Sequence, residues 1–490
     1  MVYQVLILIL PLITTPYLSR VLGAEGIGIY SYTYTIVTYF ILFGSLGVAL
    51  YGQREIAYAQ ENVEARKKTF IEIILFRFIT IGIATIAYAF IFMNGEKYQL
   101  YYRILLIELI AGAFDISWFF QGMEEFKRTV TRNVLVRLCS VSLVFILVKT
   151  KEDLATFTLI YSIADLLGNL SLWLYLPKYL KGIKVKNINI LRHLPQITLL
   201  FIPQIANQLY KMLDTTMIGK LVEDKSELGF YEQGQKVIRL LLTIVTSLGV
   251  VMIPRMASTF ASGDKEKINE YMKMSFKFVF FLAFPIMLGI ISISKDFVPI
   301  FFGEGYDKVA LLINIISPIL LLMGIANILG TQYMLPTKRQ KEYTISIVVG
   351  VIVNFVLNYI LIINYGAIGA SISTVISQFV VDIMQAYFVR KEVDFKSLLK
   401  TSYKYLFASV IMFVFCRLAE YFVYSDLMSN LIYSLSGKLE MTVANVKSVI
   451  SISTQIVVGV IVYITILILT KDDFIYTFLN KLKKKFSKAA

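Results

Sequence analysis

The chain has 490 residues, of which 57% are hydrophobic and 17% charged, and its mean hydropathy is +0.70. A soluble globular protein carries charge on about a quarter of its residues, so a soluble enzyme, a disordered chain and a nucleic-acid-binding module are excluded despite the net charge of +15. The apolar residues fall in blocks of roughly 20, long enough to cross a bilayer as helices and unlike the ten-residue alternating strands of an outer-membrane barrel.

In chain order, hydropathy predicts about fourteen spans, at roughly 2–19, 29–50, 70–93, 98–121, 129–148, 154–176, 197–219, 231–253, 273–294, 309–333, 343–364, 367–389, 403–424 and 448–470. The first apolar run lacks a basic leader and a small-residue cleavage site, so it reads as a membrane helix rather than a signal peptide. It is already apolar at residue 2, and its start is expected upstream of Met1. Pro11, Pro16, Pro203 and Pro285 lie inside spans. Such breaks are tolerated where neighbouring helices or a cavity satisfy the freed backbone groups.

Two cysteines far apart, Cys139 and Cys416, exclude a disulfide framework, and the single histidine, His193, lies in a basic linker. Neither a metal site nor a catalytic triad has material, and no cofactor is expected. No Walker A pattern is present, which argues against ATP hydrolysis by this chain.

Loops on one side carry Arg66-Lys67-Lys68, Lys127-Arg128, Lys178 to Lys186, Lys265 to Lys273, Lys338-Arg339 and Arg390-Lys391. With the tail Lys481 to Lys488 they hold roughly 30 cations, against roughly 10 on the other side. The bias predicts a multi-pass protein of the cytoplasmic (inner or plasma) membrane with both termini in the cytoplasm. The basic segments are expected to meet anionic lipid headgroups, which accounts for the charge without nucleic acid.

The chain repeats itself. Gly26-Ile27-Gly28-Ile29-Tyr30 is echoed by Glu227-Leu228-Gly229-Phe230-Tyr231, and Ser45-Leu46-Gly47-Val48 by Ser247-Leu248-Gly249-Val250. The offsets are 201 and 202 residues, and a basic residue, Arg54 or Arg255, follows each second motif. A shift of six spans preserves orientation, so the repeat is parallel, about an axis along the membrane normal. The expected architecture is an all-α polytopic membrane protein with two six-helix bundles, 1–176 and 197–389. A cytoplasmic linker, 177–196, joins them; two additional helices occupy 390–470 and a basic tail 471–490. Such a repeat places a cavity between bundles and points to alternating access.

Pro16-Tyr17-Leu18-Ser19-Arg20-Val21-Leu22-Gly23 with Gly26 to Tyr30 resembles the opening of the Wzx-type flippases. Asp115-Ile116-Ser117-Trp118-Phe119-Phe120-Gln121-Gly122, followed by Glu124 and Arg132-Asn133, resembles their fourth-helix signature, and Asp214 to Gly219 with Gly229-Phe230-Tyr231 the matching region of the second half. That family belongs to a superfamily with the multidrug/toxin extruders and the lipid II flippases. The resemblance implies transport of polyprenyl-pyrophosphate-linked oligosaccharide repeat units for capsule or other surface polysaccharide. It implies membrane lipids as surroundings, and polysaccharide polymerase and assembly proteins as partners.

Charges inside spans are costly unless they face a cavity or a partner. Arg77, Arg137, Lys236 and Arg239 lie deep enough to line a substrate path, and arginine and lysine suit a pyrophosphate. Arg20 belongs to the resembling motif and reads either as an interfacial anchor or as part of that path. Lys236 and Arg239 share a helix face, with Glu232 on the same stripe as a neutralising alternative. Lys211 and Asp214, three apart, read as a structural pair. Asp115, Asp165 and Asp382 are ion-coupling candidates; Asp115 can equally bond its own helix. The tyrosines of the second span, among them Tyr30 and Tyr34, read as packing or belt residues. Two alternatives stand beside the flippase: a cation-coupled multidrug extruder of the same fold, which would favour an acidic cavity, and a membrane polysaccharide polymerase, which would favour a large outward loop.

Overall fold

The computed structural model describes residues 2–95, 97–180, 187–439 and 442–476, and these are helices and their connections, with no strand among the described residues. The chain divides into two compact units, Met1–Gly229 and Phe230–Ala490. The boundary falls inside a helix rather than in the basic linker, of which residues 181–186 lie outside the described ones, as does most of the basic tail.

The first unit contains α1 (Val2–Ser45), α2 (Val48–Tyr58), α3 (Val63–Phe92), α4 (Gln99–Phe114), α5 (Ser117–Gly122), α6 (Phe126–Leu147), α7 (Leu154–Trp173), α8 (Pro177–Leu180) and α9 (Leu194–Leu221). Helix α10 (Lys225–Val245) begins in it. The second unit continues with α11 (Gly249–Ala261), α12 (Lys265–Phe302), α13 (Asp307–Ile316) and α14 (Ile319–Ala326). A π-helical stretch, Asn327–Met334, leads to α15 (Gln340–Tyr365), α16 (Ala367–Val389), α17 (Phe395–Tyr424), α18 (Asp426–Leu439) and α19 (Val443–Leu469).

Among the described residues, eleven helical segments are long and apolar enough to cross a membrane, or twelve if the α10–α11 pair, bent by 45°, forms one span. The first of them, Ile9–Tyr58, has 50 residues, far more than the roughly 20 of one crossing. It breaks at Gly23, whose backbone is at φ 70° and ψ 174°. The span expected over 98–121 is also broken. Asp115 is extended (φ −71°, ψ 107°) between α4 and α5, and its carboxylate accepts hydrogen bonds from the Ser117 amide and hydroxyl. Below this break Trp118, Phe119 and Phe120 are fully buried, the first two against Phe70 and the third against Phe119 and Tyr179. The resembling motif is therefore a helix break set on an aromatic core.

In the first unit the two echoing glycine motifs touch. A Cβ on Gly28 would lie 1.8 Å from the Lys225 carbonyl oxygen, and one on Gly229 would lie 1.9 Å from that of Ala24. No side chain larger than hydrogen fits at either position without moving backbone. The buried Lys225 ammonium donates to the carbonyls of Gly219 and Val222, closing the end of α9.

The second unit is built on α12, 38 residues long with Pro285 and Pro299 inside. Helices α17 and α19 pack against it in one apolar core containing Phe280, Tyr405 and Tyr463. A polar chain stitches the three together. Tyr424 and Ser451 donate to the two oxygens of Asp296 at 2.6 Å each, Gln455 donates to Ser451 at 3.0 Å, and Ser292 donates to Gln455 at 2.6 Å. The last two long helices, expected as an appendage, are thus tied into the unit's core, because buried hydroxyls and amides must find partners.

Candidate functional site

Membrane-buried charge in the first unit gathers in two places. In one, Arg77 of α3 is buried, donates from Nε to the Gly112 carbonyl at 2.8 Å and stands 3.8 Å from Asp115. The break after α4 exposes that carbonyl, and the arginine satisfies it together with the carboxylate. Two residues expected on a substrate path and in ion coupling are thus brought together as a pair bracing the α4–α5 break.

In the other, side chains of α1, α4, α6 and α7 form a mixed polar and aromatic cluster. Tyr30 stacks on Tyr34 (5.4 Å) and meets Phe157 edge-on (4.8 Å), and the Arg137 guanidinium lies 5.8 Å over the Tyr161 ring. Glu108, 5% exposed, is within electrostatic reach of Asp165 and Arg137. Asp165 and Arg137, predicted separately, share this cluster with Glu108. Tyr30 and Tyr34, predicted as packing or belt residues, pack on one another and on Phe157 beside it.

Arg20 is exposed, and its guanidinium donates to the Pro16 carbonyl at 3.2 Å, one turn back. The side chain of Lys211 lies outside the described residues; Asp214 is buried.

In the second unit, Arg239 pairs with Glu232 at 3.2 Å while remaining 60% exposed, and Lys236 lies within electrostatic reach of both. The neutralising alternative is therefore realised for Arg239. Asp382 of α16 is 6% exposed; one carboxylate oxygen accepts from Gln378 at 3.1 Å and the other has no hydrogen-bond partner. Around it the α15–α16 pair buries amides and hydroxyls instead of charges: Asn358 donates to Asn354 at 3.1 Å and Gln385 to Ser346 at 3.2 Å.

The second unit also carries an apolar groove of about 410 Å³. Its walls include Phe281, Pro285 and Gly289 of α12, Met412 and Cys416 of α17, and Gly459 of α19. Leu241 of α10, two residues beyond Arg239, also lines it.

The profile of the polysaccharide biosynthesis protein family matches residues 1–260, more than half of the chain. The chain belongs to this family. A MatE profile matches residues 200–360 of the chain. A candidate O-antigen transporter of Escherichia coli (strain K12) is 26% identical over 78% of this chain and 93% of its own length. The capsular polysaccharide biosynthesis protein CapF of Staphylococcus aureus is 24% identical over 75% of this chain and 91% of its own. Among solved structures, the lipid II flippase MurJ in an inward closed conformation superposes with a TM-score of 0.75 at 17% identity, covering 96% of this chain and 98% of that one. The fold is that of an all-helical polytopic membrane transporter.

One cluster of this family member escaped sequence reasoning. Glu72 of α3, fully buried, accepts from the Asn189 amide at 2.8 Å and pairs with Arg192 and His193. The other ring nitrogen of His193 meets the Tyr51 hydroxyl at 2.7 Å. Burial holds the His193 pKa below its usual value, with Glu72 opposing and Arg192 adding to the shift. These residues lie more than a hundred positions apart, so no local pattern announces them. The isolated Arg192-His193 pair was the available signal. Among the described residues no group of three His, Cys, Asp or Glu could hold a metal.

Proposed function

We propose that the protein is a flippase that moves polyprenyl-pyrophosphate-linked oligosaccharide repeat units across the cytoplasmic membrane for capsule or other surface polysaccharide. The observation that carries this is the match of more than half the chain to the polysaccharide biosynthesis protein family; in support, α10 carries two cations suited to an anionic head, Lys236 and Arg239, and contributes Leu241 to an apolar groove suited to an isoprenoid tail. Arginine pairs two-pronged with phosphate oxygens, while the groove removes isoprenoid surface from competition with lipid. The names of the relatives, an O-antigen transporter and a capsular polysaccharide biosynthesis protein, agree with such a cargo.

In this reading the chain crosses fourteen times, counting α1 as two spans about Gly23 and α9 as one. The repeat halves form two six-helix bundles, and both termini lie in the cytoplasm. Arg20 and Arg137 guide the headgroup; Arg77 and Asp115 hold the fourth span's break in shape. Asp165, with Glu108, and Asp382 are the sites at which an ion gradient would act. Polymerase and assembly proteins take the product onward. A multidrug extruder of the same fold is the second reading, favoured by the MatE match. Against it, Arg137 and Arg239 balance the acids that would bind a cationic drug.

The test is to deplete the protein under conditional expression and locate the lipid-linked repeat unit. Accumulation on the cytoplasmic leaflet, beyond the reach of an external glycosidase, is expected. Normal arrival at the outer face overturns the proposal, and an unchanged glycan with altered drug resistance promotes the extruder.

A further inference from the structure

The first unit carries a second apolar groove, about 520 Å³, between α6 and α7. Leu135, Cys139, Leu143 and Leu147 form one wall and Leu159, Ile163 and Leu167 the other. From Arg132 to Leu147 it runs fifteen residues along α6, or about 22 Å at the helical rise. That is the reach of an extended fatty-acyl chain. Helix α6 is the least covered of the candidate spans, with 11% of its apolar window buried, so the groove faces lipid.

Arg132 closes one end. The absence of a side chain at Gly168 lets it lie flat, with its Cδ 3.3 Å from where a Cβ would stand. Its Nε is buried and has no hydrogen-bond partner. Among the described residues no carboxylate is within ion-pairing distance of it; Asp165 feels its charge from farther away. A guanidinium inside a membrane helix without a paired anion is costly. Lys127 and Arg128 lie one turn or so before it, on the face that the charge bias assigns to the cytoplasm.

We propose that this groove binds an anionic membrane phospholipid, its phosphate on Arg132 and one acyl chain along the α6–α7 seam. The single arginine matches a single phosphodiester. The residues that line it are not among those assigned above to the transported substrate, although Arg137 and Asp165 stand on the same two helices.

The experiment uses the full chain in nanodiscs of phosphatidylcholine, with or without phosphatidylglycerol. Cys139, which lines the groove, reports occupancy through its rate of alkylation by N-ethylmaleimide, read on its own peptide by mass spectrometry. Phosphatidylglycerol is expected to slow alkylation several-fold, and Arg132→Gln to weaken phosphatidylglycerol retention in native mass spectra about tenfold, as loss of one charge-assisted contact implies. Arg132→Lys should keep part of the effect. If Arg132→Gln fails to fold, Leu167→Trp, which fills the groove, should slow alkylation in both lipids and abolish the difference between them. Equal rates in the two lipids, a difference that survives Arg132→Gln, or a rate that depends on protein concentration (a second copy in the groove) would overturn the proposal.

Discussion

The two units bury charge in different ways. The first pairs part of it: Arg77 with Asp115 and the Gly112 carbonyl, Glu72 with Arg192 and His193. The second lines its α15–α16 seam with amides and hydroxyls and leaves Asp382 with a single neutral partner, Gln378. A paired buried charge is a fixed part of the frame, because removing one partner strands the other. A carboxylate with one free oxygen costs the frame something and is kept for what it can bind. The paired charges of the first unit thus belong to its frame, whereas Asp382 has an oxygen left over for the ion-coupling role proposed above for it and for Asp165 with Glu108.

Substitutions can break that contrast. The largest effect is expected from Arg77→Ala, which takes the guanidinium from Asp115 and the Gly112 carbonyl and leaves them only the Ser117 and Asp115 backbone and hydroxyl donors. A loss of about 2–4 kcal/mol should appear as loss of monodisperse protein from the membrane fraction, and a variant with an unchanged unfolding midpoint would refute the bracing role.

A smaller, pH-dependent loss is expected from His193→Gln. Burial lowers the folded pKa of His193, so on acidification the unfolded chain takes up the proton first. The stability gained from the neutral ring is then complete above the unfolded value of about 6.5 and declines as pH falls below it. The variant should lose about 1–3 kcal/mol at pH 7.5 through its bonds to Tyr51 and Glu72, and the gap to wild type should narrow by pH 5. Thermal unfolding at the two pH values reads this directly; a gap that widens in acid contradicts the assignment.

The smallest stability effect belongs to Asp382→Asn. Removing an unpaired buried charge should leave the unfolding midpoint level or slightly raised, while export of polysaccharide falls. Export at the wild-type level would remove Asp382 from the coupling role and leave Asp165 with Glu108.

Some of this was legible in the residues. Transfer from water to lipid is a property of each side chain, so hydropathy announced an all-helical polytopic chain, with eleven or twelve candidate spans among the described residues where about fourteen were expected. Loop charge likewise set an expected orientation. The offset of the glycine motifs pointed to a repeat, and their mutual contact explains why glycine stands at both Gly28 and Gly229. The sign and helix-face logic for Glu232 and Arg239 also sufficed, because partners on one helix stripe meet by local geometry.

What the sequence by itself determined, then, was the solvent this chain folds in, its helical class and the family motifs that place it among polysaccharide biosynthesis proteins. Only the tertiary structure decided the rest. It turned the Asp115–Gly122 motif into a helix break braced by Arg77, brought Glu72 to His193 across 121 positions, and set Arg132 at the mouth of a lipid-facing groove. Hydropathy is summed residue by residue along the chain. Charge pairing depends instead on distances across it, and those exist only once the helices have packed.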